Sequence, residues 1–239
     1  MVQPTPDYAT LSAAEIIATS ERLARRISER FPDFGLAKVA TRLVEVARHT
    51  EAEALQLATP NIPIRIAVGL VILSGAFAFV FLLAALRPTD VDAAVIPLVQ
   101  ATESAMNIAI LVGLGVIGLT QLEWRWKRRH ALAALHKLRS LAHVIDMHQL
   151  TKDPGGERRA DPTASSPKRN LSQVQLERYL DYCSEMLALI GKLSALYVQS
   201  HNDQLVGQAV SEIEVLTTNL ARKIWQKIAI IAQKQHERA

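Results

Sequence analysis

Residues 66–86 read IAVGLVILSGAFAFVFLLAAL, without a charge between Arg65 and Arg87. A bilayer core about 30 Å thick is crossed by about 20 helical residues, and within lipid the backbone must satisfy its own hydrogen bonds. The stretch therefore predicts a membrane-spanning helix. A second follows at residues 104–122, SAMNIAILVGLGVIGLTQL, set between Glu103 and Glu123. The rest of a 239-residue chain holds too little apolar mass to bury two such helices all round. Neither run fits a secretory signal, because the first begins far from the starting Met, and Arg25-Arg26 lacks the apolar stretch of a twin-arginine signal. Both spans are expected to be kept.

Flanking charge orients the pair, since Lys and Arg accumulate on cytoplasmic flanks. The connection over residues 87–103 sets Arg87 against Asp90, Asp92 and Glu103, whereas EWRWKRRH at 123–130 carries Arg125, Lys127, Arg128 and Arg129. The connection is expected outside and both termini in the cytoplasm. Trp124 and Trp126 then sit at the inner headgroups, and the basic cluster faces anionic inner-leaflet lipid. Small size and simple topology point to a bacterium, with a multi-pass protein of the inner (plasma) membrane.

The remainder reads as helices. Residues 1–11 form a flexible tail and 12–60 two cytoplasmic helices. Ser12 to Glu15 has the pattern of a capping box, Ile16, Ile17, Leu23 and Ile27 recur at helical spacing to about residue 31, and Pro32 and Gly35 interrupt them. Leu36, Val39, Leu43, Val46 and Leu55 mark a helix over about 36–58, which Pro60 and Pro63 separate from the first span. The transmembrane hairpin takes 61–122; within its outer connection, AVIPLVQ at 94–100 reads equally as an interfacial turn or as an extension of the second helix. Residues 123–152 carry that helix into the cytoplasm, and 153–170, rich in Pro, Gly, Ser and charge, read as a flexible linker. Ser172 to Gln175 is another capping box. It opens a helical hairpin over 171–236 whose apolar positions, Leu176, Tyr179, Cys183, Met186, Ile190, Leu193 and Tyr197, then Val206, Val210, Ile213, Thr217, Leu220, Ile224, Ile228 and Ile231, follow coiled-coil-like three and four spacing. No stretch alternates as a strand would. The expected fold is all-α: a membrane protein with a two-helix transmembrane hairpin and a cytoplasmic helical bundle formed by the N- and C-terminal helices.

Composition narrows the chemistry. With 49% hydrophobic residues the chain is not disordered, and its net charge of +4 is too small and dispersed to argue for a nucleic-acid partner. The lone Cys183 excludes an intrachain disulfide framework or a cysteine-rich zinc module, and on an apolar helix face it reads as inert core. No G-x-S-x-G, Walker A, H-E-x-x-H or paired-Cys motif occurs, and no cofactor is expected.

Two groups of residues stand out. Gly113, Gly115 and Gly118 match the letters of a dinucleotide fingerprint, but that motif works only between a strand and a helix. On a spanning helix, small residues let helices approach closely, so Gly69, Gly75, Ala109, Gly113, Gly115 and Gly118 are candidates for helix packing or a pore. Asn107, the most polar group at that depth, is expected to hydrogen-bond between helices or to line a path built by several subunits. The second group lies in HALAALHKLRSLAHVIDMHQLTKDP, residues 130–154. On a helix His136, Arg139, His143 and Asp146 share one face opposite Leu135, Leu138, Ala142 and Ile145, with His148 off that face near the helix end. This polar side is expected to be solvated or partner-facing; the alternative is a metal held by His143, Asp146 and His148, although zinc needs three or four ligands. Arg129 and His136 are spaced as in the R-x(4–6)-H signature of HEPN ribonucleases, a match that chance and the boundary position of Arg129 also explain.

The layout of a cytoplasmic helix, two spans with a short outer connection and then a basic helix, EWRWKRRHALAALHKLR, resembles the SLATT class of bacterial two-span effectors over about residues 36–150. The resemblance is architectural and carries no residue roles across. It implies membrane permeabilisation on activation by a partner, and it leaves the hairpin at 171–236 unexplained. Three functions follow as expectations. The leading one is a noncatalytic self-association or partner-docking module in the membrane, a homo-oligomer in contact with lipids and a cytoplasmic protein partner. The second is an oligomeric two-span pore or membrane-disrupting effector. The third is a metal-dependent sensor or enzyme using the 136–148 cluster.

Overall fold

The computed structural model describes residues 10–85, 95–152 and 171–236, and every regular element among them is helical. In chain order these are α1 (Ala13–Arg30), α2 (Gly35–Ala58), α3 (Ile62–Ala85), α4 (Val95–Leu150), α5 (Gln173–Ser200) and α6 (Gln204–His236). Of the tail expected over 1–11, residues 1–9 fall outside the described residues, as do the linker expected over 153–170 and the last residue of the first apolar run, while Leu11 is tied to Gln199 of α5 by hydrogen bonds of 3.1 and 3.3 Å. From Val95 on, the stretch 94–100 extends the second apolar helix, so α4 runs unbroken for 56 residues. The described residues divide into two compact units, one of residues up to 58 and from 130 onward, the other of residues 59–129.

The larger unit is a helical bundle of α1, α2, the C-terminal part of α4, α5 and α6. Local signals set its helix ends. Ser12 accepts from the Glu15 N–H at 3.4 Å, and α1 stops at Phe31, whose N–H reaches Ile27 O at 2.8 Å just before Pro32. Ser172 makes the full reciprocal box with Gln175, at 3.2 and 2.9 Å. Asp203 opens α6 by accepting from the N–H groups of Leu205 and Val206 at 3.0 and 3.2 Å. That cap lies in the SHND stretch, three residues after α5 ends, so α6 folds back along α5. Each helix contributes an apolar stripe to one continuous core, with Leu23 and Ile27, Leu36 and Leu43, Leu138 and Ile145, Leu180 and Ile190, and Ile224 and Ile231 among its buried members. Each such aliphatic side chain stabilises the bundle by roughly 1.5–3 kcal/mol on burial. An aromatic knot closes one end, where Phe31 meets Phe34, Tyr179 and Tyr182 edge-on at 5.4, 5.6 and 6.2 Å.

The smaller unit is a hairpin of α3 and the N-terminal part of α4, two helices long and apolar enough to cross a membrane. Its contacts are antiparallel: Gly75 lies against Val112, and Gly115 against Val71. Among the described side chains of α3 only Gly75 is buried, and over residues 98–122 of α4 only Ala101. Phe77, Phe81, Leu111 and Leu114 are each more than 60% exposed.

Candidate functional site

The base of the hairpin is fixed by a polar clamp that spacing alone did not reveal. Glu123 accepts from the backbone N–H of Asn61 at 3.0 Å, capping the start of α3, and sits 3.3 Å from Lys127. Lys127 in turn donates to the carbonyl of Thr59 at 2.8 Å, where α2 has ended. The Asn61 N–H, then the Lys127 ammonium and the nearby Arg65, hold the Glu123 carboxyl below the usual carboxylate range. Of the other residues read as an interface belt, Trp124, Arg125, Trp126 and Arg129 are exposed and Arg128 is half-buried. Lys127 of that belt has a second task inside the fold.

The small residues divide into two sets. A Cβ on Gly75 would overlap the Val112 side chain, and one on Gly115 would stand 3.0 Å from Val71, so these two glycines let α3 and α4 touch. Gly69, Gly113 and Gly118 face open space, and Ala109 and Asn107 are exposed.

In the bundle unit, the polar cluster of α4 is dispersed rather than gathered. Arg139 pairs with Glu212 of α6 at 2.8 Å, while His136 and His143 are exposed. Asp146 accepts from the buried Gln149 carboxamide at 2.6 Å, whose oxygen accepts from Lys227 of α6 at 2.6 Å. Lys227 also donates to the Gln149 carbonyl at 2.9 Å, placing a cation on the C-terminal end of α4 where the helix dipole favours one. His148 packs against Gly35, where an added Cβ would come within 2.6 Å of its ring; burial and then Lys152 push its pKa down. Lys152 itself lies over the rings of Phe34 and Tyr179 at 5.7 and 5.4 Å. Among the described residues, no three His, Cys, Asp or Glu side chains are grouped to hold a metal, so His143, Asp146 and His148 do not form the ligand set considered from sequence. Arg129 belongs to the hairpin unit and His136 to the bundle. Cys183 is fully buried, and that burial pushes its thiol up to about 12. It is shielded both sterically and chemically.

Two further features needed the fold to become visible. Tyr197 donates to Glu53 at 2.6 Å, with Lys137 3.8 Å from the same carboxylate, so α5, α2 and α4 meet at one polar point in the core wall. Between α1 and α5 an open cavity of about 560 Å³ is lined by Arg26, Glu29, Arg30, Arg178 and Tyr182. Arg26 is already committed, bidentate to Glu185 at 3.0 and 3.1 Å and 5.2 Å above the Tyr182 ring. The run SERLARRISER at 20–30 was the only trace of this basic rim in the sequence.

No protein family, no curated protein and no solved structure matches this chain. The functional reading therefore rests on its own residues.

Proposed function

We propose that this chain is an integral membrane protein, held by the α3–α4 hairpin, whose helical bundle acts on the cytoplasmic side as a noncatalytic module for self-association or partner docking. The observation that carries the reading is the apolar surface of the hairpin, exposed along nearly the whole of both helices. Water-soluble monomers rarely expose contiguous apolar patches beyond a few hundred Å². Lipid tails cover such a surface without requiring any polar partner. The acidic connection at 87–103 and the basic segment at 123–130 support a cytoplasmic bundle by the same charge rule in both places.

An oligomeric pore or membrane-disrupting effector is the second reading, in line with the resemblance to two-span SLATT effectors. It is favoured by Asn107, a carboxamide exposed on the apolar stretch of α4. Two spans enclose no lumen, so this reading requires several copies.

The test is extraction and labelling of full-length protein in membranes. The chain should stay with the bilayer in alkaline carbonate, and Thr89→Cys should react with an impermeant thiol reagent from the non-cytoplasmic side only. Native Cys183, buried and with its thiol pushed up to about 12, gives no background. Release by carbonate refutes the membrane reading, and labelling of position 89 from the cytoplasm reverses the topology.

A further inference from the structure

The part of α4 that belongs to the hairpin carries two stripes at helical three and four spacing. One includes Ile108, Val112, Gly115, Leu119 and Glu123, half-buried residues among which Val112, Gly115 and Glu123 make the contacts with α3 and Asn61. The other lies about a third of a turn away round the helix. It comprises Ser104, Asn107, Leu111, Leu114, Gly118 and Gln121, all exposed.

The second stripe gathers polar groups that the hairpin leaves unmet. Off the stripe, Thr102 and Thr120 donate to carbonyls of their own helix at 2.8 and 2.9 Å, and Ser74 of α3 does the same at 2.9 Å. On the stripe, the Ser104 hydroxyl and the carboxamides of Asn107 and Gln121 have no hydrogen-bond partner among the described residues. Lipid offers Asn107 none either, and a carboxamide in hydrocarbon without a partner is strongly disfavoured. Beyond Arg65 at its start, the only polar side chain of α3 is Ser74, already bonded to Val71 O.

We infer that the stripe from Ser104 to Gln121 is the seam along which this chain packs, in parallel, against a second copy of itself. The occupant follows from complementarity. A carboxamide carries donors and an acceptor, so an identical stripe is its own match. Identical chains insert in one orientation, which brings Asn107 opposite Asn107 and Gln121 opposite Gln121. Gly118, open on this face, allows the backbones to approach, and Leu111 and Leu114 fill the spaces between. A polar residue at a single seam position fixes register in coiled helices, and Asn107 takes that role here. The inference rests on the membrane reading above and adds the surface, orientation and register of self-association.

The test uses the full chain in native-like bilayers at fixed protein-to-lipid ratio. Leu111→Cys, Leu114→Cys and Gly118→Cys should oxidise to disulfide-linked dimers, whereas Ala105→Cys, Ala109→Cys and Val116→Cys, on the far side of the helix, should not. Asn107→Leu added to Leu114→Cys should lower the dimer yield about threefold to tenfold, and Asn107→Gln should restore most of it. Equal crosslinking on both faces, a monomer at every density, or a yield indifferent to Asn107→Leu overturns the seam. Carbonate extraction of the same membranes separates the two failures. Protein that stays with the bilayer without stripe crosslinks refutes the seam alone, and protein that is released refutes the membrane reading.

Discussion

Gly69 and Gly75 share a helix and a sequence context, and they differ in what stands opposite. At Gly75 a side chain would run into Val112, and at Gly69 it would enter open space. Gly75→Val should therefore weaken the hairpin by about 1–3 kcal/mol, the usual cost of forcing atoms into a filled contact, while Gly69→Val should be nearly silent. Thermal melting of the two variants in detergent micelles checks this, and equal melting temperatures would contradict the packing described. Tyr197 makes a second case. Its hydroxyl donates to a carboxylate at 2.6 Å from a buried position, and burial followed by Glu53 pushes its pKa up. Tyr197→Phe should cost about 1.5–3 kcal/mol, as for hydrogen bonds to charged groups, read as a lower melting temperature of the bundle. Neither outcome was legible in the sequence. A glycine reports its own size and not its neighbour's, and Tyr197 was recognisable only as one more apolar-face residue.

At the scale of elements, the helix starts were largely written in local chemistry. Ser172 and Gln175 form the box their spacing announced, whereas of the box expected at Ser12 and Glu15 only one half forms, the Ser12 hydroxyl accepting from the Glu15 N–H. The stretch at 94–100 left two readings open because an apolar heptapeptide containing Pro97 suits an interfacial turn and the first turn of a helix alike, and Pro is tolerated in that first turn. Helix ends secured by distant partners were not legible. Glu123 caps α3 from 62 residues away and Lys227 closes α4 from 78 residues away, separations at which no periodicity operates. Lys227→Met should leave the buried Gln149 amide oxygen and carbonyl unpaired and cost about 1–3 kcal/mol of bundle stability, measured by thermal melting. The Glu123 clamp predicts a pH dependence. A carboxyl whose folded pKa lies below its ordinary value of 4.5 contributes stability above that value and loses it as pH falls through the lowered one. The hairpin of the native chain should lose melting temperature below about pH 4.5. Glu123→Gln should lack that component, and an unchanged acid profile in this variant would contradict the clamp.

For the whole molecule, the two apolar runs and the helical spacing on either side made the all-helical class legible, because lipid and core impose periodicities a sequence records directly. The polar cluster at 136–148 was visible as residues but not as an arrangement. On one isolated helix His136, Arg139, His143 and Asp146 share a face, yet Arg139 goes to Glu212, Asp146 to Gln149, and the exposed histidines to neither. Charge pairing between exposed helices obeys no spacing rule, so only the packing decides it. Zinc or a chelator added to the purified full-length protein should accordingly leave its melting temperature unchanged. A rise of several degrees with zinc would reinstate a metal site.

The bundle joins distant parts of the chain: Arg26 to Glu185 across 159 residues, Tyr197 to Glu53 across 144. At roughly 5–20 residues per second, a ribosome that has finished α2 needs about 7–28 s to finish α5, one of the helices it packs against. Until the C-terminal part of α4 emerges partway through that interval, the apolar stripes of α1 and α2 have only each other to cover them. The hairpin emerges from the ribosome within the same wait. Biosynthesis thus delivers the whole apolar hairpin before the bundle can close, and the nascent chain in that interval is the form most in need of a chaperone.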